Sequence, residues 1–300
     1  MNRTRGGQRI IDTYETWGEF VDAAKTAEPS GAFEFRHSRI MTGHHSGTGV
    51  PSFEAAIDYA TNGWPEGAAQ VKTLSLSMFD RLATLIERPT VTYDVEGEQV
   101  DIARYLDGEP ECWQRTEWKT TEGVSRRVVK VTFNYAVSSG VSQEVARAKG
   151  AAVVALCELL EHAGYGVELS VISSSNGYAS GAHHTTFTPV KTADQPLDVS
   201  RAAFALASPA MHRCLWFALL EALPYEVAQA LGCGSYNGTP CEAPASLRGD
   251  LHFGKTLYGE PQWTDPTAAR AWIISQLKAQ GVAVRETEDE QKTSSRHPPR

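Results

Sequence analysis

Residues 127–172 constrain this chain more than any other stretch. Residues 127–133 read Arg-Val-Val-Lys-Val-Thr-Phe, a β-branched run suited to a central strand. Residues 134–142, Asn-Tyr-Ala-Val-Ser-Ser-Gly-Val-Ser, form a loop of small residues. Ser142 is a good helix N-cap, and Glu144 falls in the first turn, where the helix dipole favours a negative charge. Residues 143–163 are rich in Ala and Leu, with Val145, Ala152, Leu156, Leu159 and Leu160 toward a core, and Gly164 supplies a left-handed stop. Residues 167–172 are a second apolar strand. A strand, a long helix and a strand with short joints make a right-handed parallel βαβ unit. The expected class is therefore α/β, with a Rossmann-like parallel sheet over residues 126–284.

The rest of the chain divides around that unit. Residues 1–7 read as a loose tail. Trp17, Phe20, Val21 and Ala24 recur at helical spacing, so 16–27 is a short amphipathic helix. Residues 33–36 have strand character, and 37–51 are a loop rich in Gly, His, Ser and Thr. Ser52 caps a helix that Asn62-Gly63 stops, and a longer helix covers 68–87. Strands are expected at 90–95 and 112–119, with a helical segment at 100–106 between them. The domain reading is thus an α-rich N-terminal region at 1–125, the α/β domain at 126–284, and a charged, disordered tail at 285–300. Within the second part, 185–190 is a third strand, 199–207 and 210–222 are helices, and Asp265-Pro266 opens a helix to 280.

Composition narrows the partners. The 300 residues carry a net charge of −8, which disfavours a phosphate backbone as the main partner. A local basic patch at Arg126, Arg127 and Lys130 leaves duplex binding as a minor alternative. No run reaches the roughly 18 apolar residues of a membrane helix. Five widely spaced cysteines do not read as a disulfide frame, and no apolar signal core follows Met1, so the expected location is the cytoplasm.

Three sets of side chains are candidates for chemistry. The 134–142 loop lies at the carboxyl end of a strand and the start of a helix, where open α/β sheets place ligands. Asn134, Ser138, Ser139 and Ser142 are its candidate ligand-binding residues; the alternative is a connection whose hydroxyls cap backbone amides. The adjacent pairs His44-His45 and His183-His184 are the candidate metal set, with Mg or Zn as the possible ion and no confident cofactor. Asp101, Asp107, Glu109 and Glu111 beside Trp113 are an acidic stretch of the kind metal-dependent nucleases use, and equally of solvated loops. No Gly-x-Ser-x-Gly elbow and no phosphate-cradling Gly-x-x-x-x-Gly-Lys-Ser/Thr pattern occurs.

Residues 128–172 resemble the opening of a von Willebrand factor A-like domain. That family begins with a hydrophobic strand, an Asp-x-Ser-x-Ser loop holding a divalent metal, a long helix and a strand after a Gly. The corresponding positions here are Asn134, Ala136 and Ser138, and only the last keeps the family's ligand type. The resemblance implies Asp194 as the third-loop carboxylate. A second resemblance is carried by Ser52-Phe-Glu-Ala-Ala56, Asn62-Gly-Trp-Pro-Glu-Gly67, Val100-Asp101 with Gly108-Glu-Pro-Glu-Cys112, and Gln262-Trp-Thr-Asp265. These segments are similar to uncharacterised proteins of actinobacterial phages and their hosts, which implies a viral or mobile-element origin. Together the expectations are a non-catalytic protein-binding or assembly protein that presents its carboxyl-end loops to a protein partner in a bacterial cytoplasm. The alternative is a metal-dependent hydrolase or nuclease using the loop histidines and carboxylates.

Overall fold

The computed structural model describes residues 1–28, 30, 48–82, 90–97, 99–117, 128–138, 140–162, 164–178, 180–233, 237–257 and 266–279. Strands β1 (Asn2–Gly6) and β2 (Arg9–Thr13) form a hairpin that turns at Gly7, whose φ of 64° favours glycine. Helix α1 (Trp17–Thr26) starts where the Thr16 hydroxyl accepts from the Glu19 amide at 3.1 Å, and it buries Trp17, Phe20, Val21 and Ala24. In α2 (Phe53–Asn62), Ser52 caps the Ala55 amide at 3.1 Å. Helix α3 (Pro65–Leu82) begins on proline, which needs no amide partner there. Strands β3 (Thr90–Asp94) and β4 (Gln99–Val100), helix α4 (Ile102–Leu106) and strand β5 (Trp113–Glu117) then build a small antiparallel sheet ordered β3-β5-β4.

The main sheet follows. Strand β6 (Val128–Asn134), helix α5 (Gln143–His162) and strand β7 (Gly166–Asn176) form the expected unit, with β6 and β7 parallel over their whole pairing. Strand β8 (His183–Lys191) returns antiparallel to β7, and helix α6 (Val199–Ala207) follows, capped by Asp198. A π-helical turn, Met211–Trp216, leads into α7 (Phe217–Glu221), and α8 (Tyr225–Leu231) ends on left-handed Gly232. Strand β9 (Thr239–Pro240), a 3-10 turn (Ala245–Leu247), strand β10 (Leu251–Phe253) and helix α9 (Pro266–Ala279) complete the described elements. The sheet order is β1-β2-β8-β7-β6-β10, with β9 paired to the end of β7. Pairs β2/β8, β6/β7 and β6/β10 are parallel, and β1/β2 and β7/β8 are antiparallel.

The chain is therefore mixed α/β around a sheet that is parallel at its centre. Three details differ from the expectation. Residues 2–6 are an edge strand rather than a tail; with both faces exposed, the strand carries no apolar signal. The 1–125 region gives helices α1 to α3, and it also gives β2, which pairs with β8 in the sheet assigned to 126–284. Finally, β7 runs on through the polar Ser173–Ser175, beyond the apolar strand expected at 167–172. They are buried strand residues, and the Ser174 and Thr185 hydroxyls bond across the pair at 2.9 Å. A loop of only residues 177–182 remains, too short for a parallel crossover, so β8 must return antiparallel. The division at residue 125, the strand at 33–36 and the tail at 285–300 lie outside the described residues.

The core forms where α5 and α6 pack together on the sheet with α3 against both. Residues 151–157 of α5 are all buried. Helices α5 and α6 touch at Gly150, where a Cβ would lie 2.4 Å from the Leu206 carbonyl oxygen. Among the described residues no single helix is long and apolar enough to cross a membrane. The apolar pair formed by α6 and the following 211–221 segment is bent by 65°.

Candidate functional site

The carboxyl end of β6 meets the carboxyl end of β10, and the chain enters this crevice from 135–138 and 254–257. Asn134 is fully buried. Its Nδ2 donates to the Cys241 carbonyl at 3.0 Å, and its Oδ1 accepts from the Ala136 amide at 3.1 Å. The Thr256 amide donates to the Ala136 carbonyl at 2.9 Å, and the Ser138 amide donates to the Thr256 carbonyl at 3.1 Å, so the two loops pair as a one-residue parallel bridge. Ser142 acts as the α5 cap, its Oγ accepting from the Val145 amide at 3.4 Å. Beneath the loops lies Lys149, 2% exposed. Its Nζ donates to the Gly254 carbonyl and, at 2.8 Å, to Thr256 Oγ1, and it stands 5.4 Å from the centre of the Phe133 ring.

This geometry bears on the divalent metal that the A-domain resemblance implies. A hard cation needs several oxygen ligands, usually with carboxylates among them. Both polar atoms of Asn134 are spent on the backbone, Ala136 has no ligating side chain, and the nearby buried charge is a positive one. The donor set does not fit such an ion. Nor does Asp194 approach the loop. Lys191 pairs with Leu169, three positions before Ile172, the partner of Asn134, so the turn carrying Asp194 runs on toward the opposite end of the sheet. Its exposed carboxylate is held below the usual range by the Thr192 hydroxyl. The antiparallel return of β8 is the physical reason for this separation. Ser139 lies outside the described residues.

The histidine pairs fare differently. His44 and His45 lie outside the described residues. His183 and His184 are neighbours on β8 and so face opposite sides of the sheet. Burial, with Arg9 and His184 adding to it, lowers the pKa of the partly exposed His183. His184 is fully buried, and its Nε2 lies 3.1 Å from Asp12 Oδ2. Arg3 grips the same carboxylate with two bonds, Nε to Oδ1 at 2.6 Å and Nη2 to Oδ2 at 2.8 Å. Burial raises the Asp12 pKa, but the bonds from Arg3 and His184 outweigh it and hold the carboxyl at about 2. Among the described residues no group of three or more His, Cys, Asp or Glu is placed to hold a metal.

His184 also opens a stacked row that sequence reasoning missed. The Trp216 indole stacks on His184 at 6.2 Å and on His212 at 4.8 Å, and His212 lies 5.9 Å from the Tyr135 ring. Burial, with help from Arg213, drives the His212 pKa down to about 3, so this imidazole is neutral at ordinary pH. Both His212 and Trp216 belong to the π-helical turn, a rare geometry often found at functional sites. The available sequence signal was Asp12, an acid within the Ile-Ile-Asp run of β2, which demands a buried counter-charge. All four rings of the row are buried.

The small sheet and α4 expose large apolar side chains. Ile102, Tyr105 and Leu106 are 70%, 64% and 76% exposed, and Val95 is 63% exposed. The first three stand at i, i+3 and i+4 on α4 and so share a face. Trp113 and Tyr93 add partly exposed rings. The candidate acidic stretch surrounds this strip. Asp101 does structural work, its Oδ1 capping the Ala103 and Arg104 amides at 3.0 and 3.2 Å, and the Arg104 amide is the main cause of its lowered pKa. Residues 90–117 hold eight carboxylates against two arginines, a net charge of −6. Both arginines are already engaged, Arg104 with Glu109 at 2.8 Å and Arg115 with Asp94 at 3.5 Å.

The profile of a domain family of unknown function, DUF7192, matches residues 3–284. No curated protein and no solved structure matches the chain.

Proposed function

This chain belongs to the DUF7192 family, and we propose that it is a non-catalytic protein-binding or assembly protein that docks its partner on the small acidic sheet. The observation that carries the reading is the exposed face of Ile102, Tyr105 and Leu106 on α4. A contiguous apolar surface rimmed by polar residues marks a contact site. Its rim of carboxylates selects a partner that presents an apolar face edged with lysines and arginines. The carboxyl-end loops are a poorer candidate surface, because Asn134 and Ser142 are engaged by the backbone.

We place the protein in a bacterial cytoplasm, encoded by a phage or mobile element. The origin rests on the resemblance of the segments around Gly63-Trp-Pro-Glu-Gly67 to phage proteins. The compartment agrees with five free thiols, four of them buried. The A-domain reading is supported by the order of strand, polar loop, long helix and parallel strand in 128–172.

A synthetic helical peptide with leucines on one face and lysines on the other tests the docking surface. Trp113 pairs with Asp94 and Val100 beside the strip and reports contact by its fluorescence. Saturable binding in the micromolar range is expected, weakened about tenfold or more by Leu106→Asp and by raising salt to about 0.5 M. The same apolar face carried by a glutamate-rich peptide must not bind. Failure of the lysine peptide, or equal binding of both, removes the reading.

A further inference from the structure

We infer that Lys149 is the resident cation of the β6/β10 crevice and stands in for the divalent metal that an A-like loop would hold. Three observations converge on it. The Lys149 ammonium is buried 2% exposed beneath the two loops, and it takes oxygen from both the backbone and the side chain of the second loop, Gly254 O and Thr256 Oγ1. Thr256, one of those two ligands, is the residue whose amide and carbonyl bind Ala136 and Ser138. The charge is thus one residue removed from the loop positions where the metal would be coordinated.

The ring of Phe133, the last β6 residue before Asn134, faces the same ammonium at 5.4 Å. A buried ammonium is costly unless such partners surround it. A divalent ion placed on the same loops would be repelled by it; the Glu242 carboxylate beside Gly254 pairs instead with His252, its Oε2 3.6 Å from His252 Nε2. A metal gathers oxygen ligands from separate loops into one point. Here a tethered side chain holds two oxygens of the 254–257 loop, whose Thr256 in turn bonds to Ala136 and Ser138, without any ion to lose, so the crevice is expected to be indifferent to chelators.

The test combines a metal titration of the full chain with hydrogen exchange on a variant. Mn2+ is the probe, followed by its electron paramagnetic resonance signal. No saturable binding is expected up to about 1 mM, the weak end of protein cation sites. Lys149→Met keeps the apolar stem and removes the charge. It is expected to speed exchange of the Ser138 and Thr256 amides by about tenfold to a hundredfold, with β7 amides unchanged. One Mn2+ bound per chain overturns the inference, even if the variant fails to fold. Unchanged Ser138 and Thr256 protection in a folded Lys149→Met chain also overturns it, because the stem alone would then hold the loops.

Discussion

His212 is the residue whose environment carries the clearest consequence for solution behaviour. Burial between Trp216, Phe217 and Tyr135 keeps its imidazole neutral down to about pH 3. The unfolded chain takes up that proton near pH 6.5, so the folding free energy is complete above that value and is lost as pH falls toward 3. His212→Phe preserves the stack and removes the titration. Denaturant unfolding at pH 7.5 and 4.5 is expected to show the variant keeping about 2–3 kcal/mol at the lower pH that the wild type loses. Equal losses in both chains would show that His212 is not buried as described. Asp12 acts in a lower window: its folded value of about 2 lies below the unfolded one, so its contribution is present above about pH 4 and fades as pH falls through 2. His212 and Trp216, four residues apart in a stretch read as helix, were legible as neighbours, but Tyr135 was not, because it lies 77 positions before His212 in the chain.

At the scale of elements, the contact between α5 and α6 depends on one missing side chain. Alanine normally favours a helix over glycine by about 1 kcal/mol. At Gly150 the sign reverses, because the added Cβ would meet backbone, the Leu206 carbonyl at 2.4 Å, which cannot rotate aside. Gly150→Ala is expected to destabilise the chain by about 1–3 kcal/mol, read as a lowered denaturant midpoint; a raised midpoint would show that the helices can separate freely. Helix α5 itself was legible, since Ser142, the alanines and Gly164 are local signals. The extent of β7 was not. Ser173, Ser174 and Ser175 carry loop chemistry in sequence, and only the β8 partner across the ladder makes them strand residues. The exposed face of α4 was likewise hidden: the sequence marks 100–106 as a helical segment, and only the fold shows that Ile102, Tyr105 and Leu106 are left uncovered.

Across the whole molecule, the first thirteen residues complete the sheet. Strand β2 covers the edge of β8, and Arg3 and Asp12 supply the charges that His184 meets in the interior. Removing residues 1–13 uncovers an edge strand and leaves His184 buried without its carboxylate. The truncated chain is expected to lose cooperative thermal unfolding and to aggregate; a melting temperature within a few degrees of wild type would contradict that role. What the sequence by itself determined was the β6–α5–β7 unit and the caps of the main helices, because those follow from neighbours within a turn or a strand. Only the tertiary structure decided the antiparallel return of β8, the Asp12–His184 pair, the burial of Lys149 and the exposure of the α4 strip. Each depends on which distant segment comes to lie alongside, and a linear pattern of residue types carries no record of that.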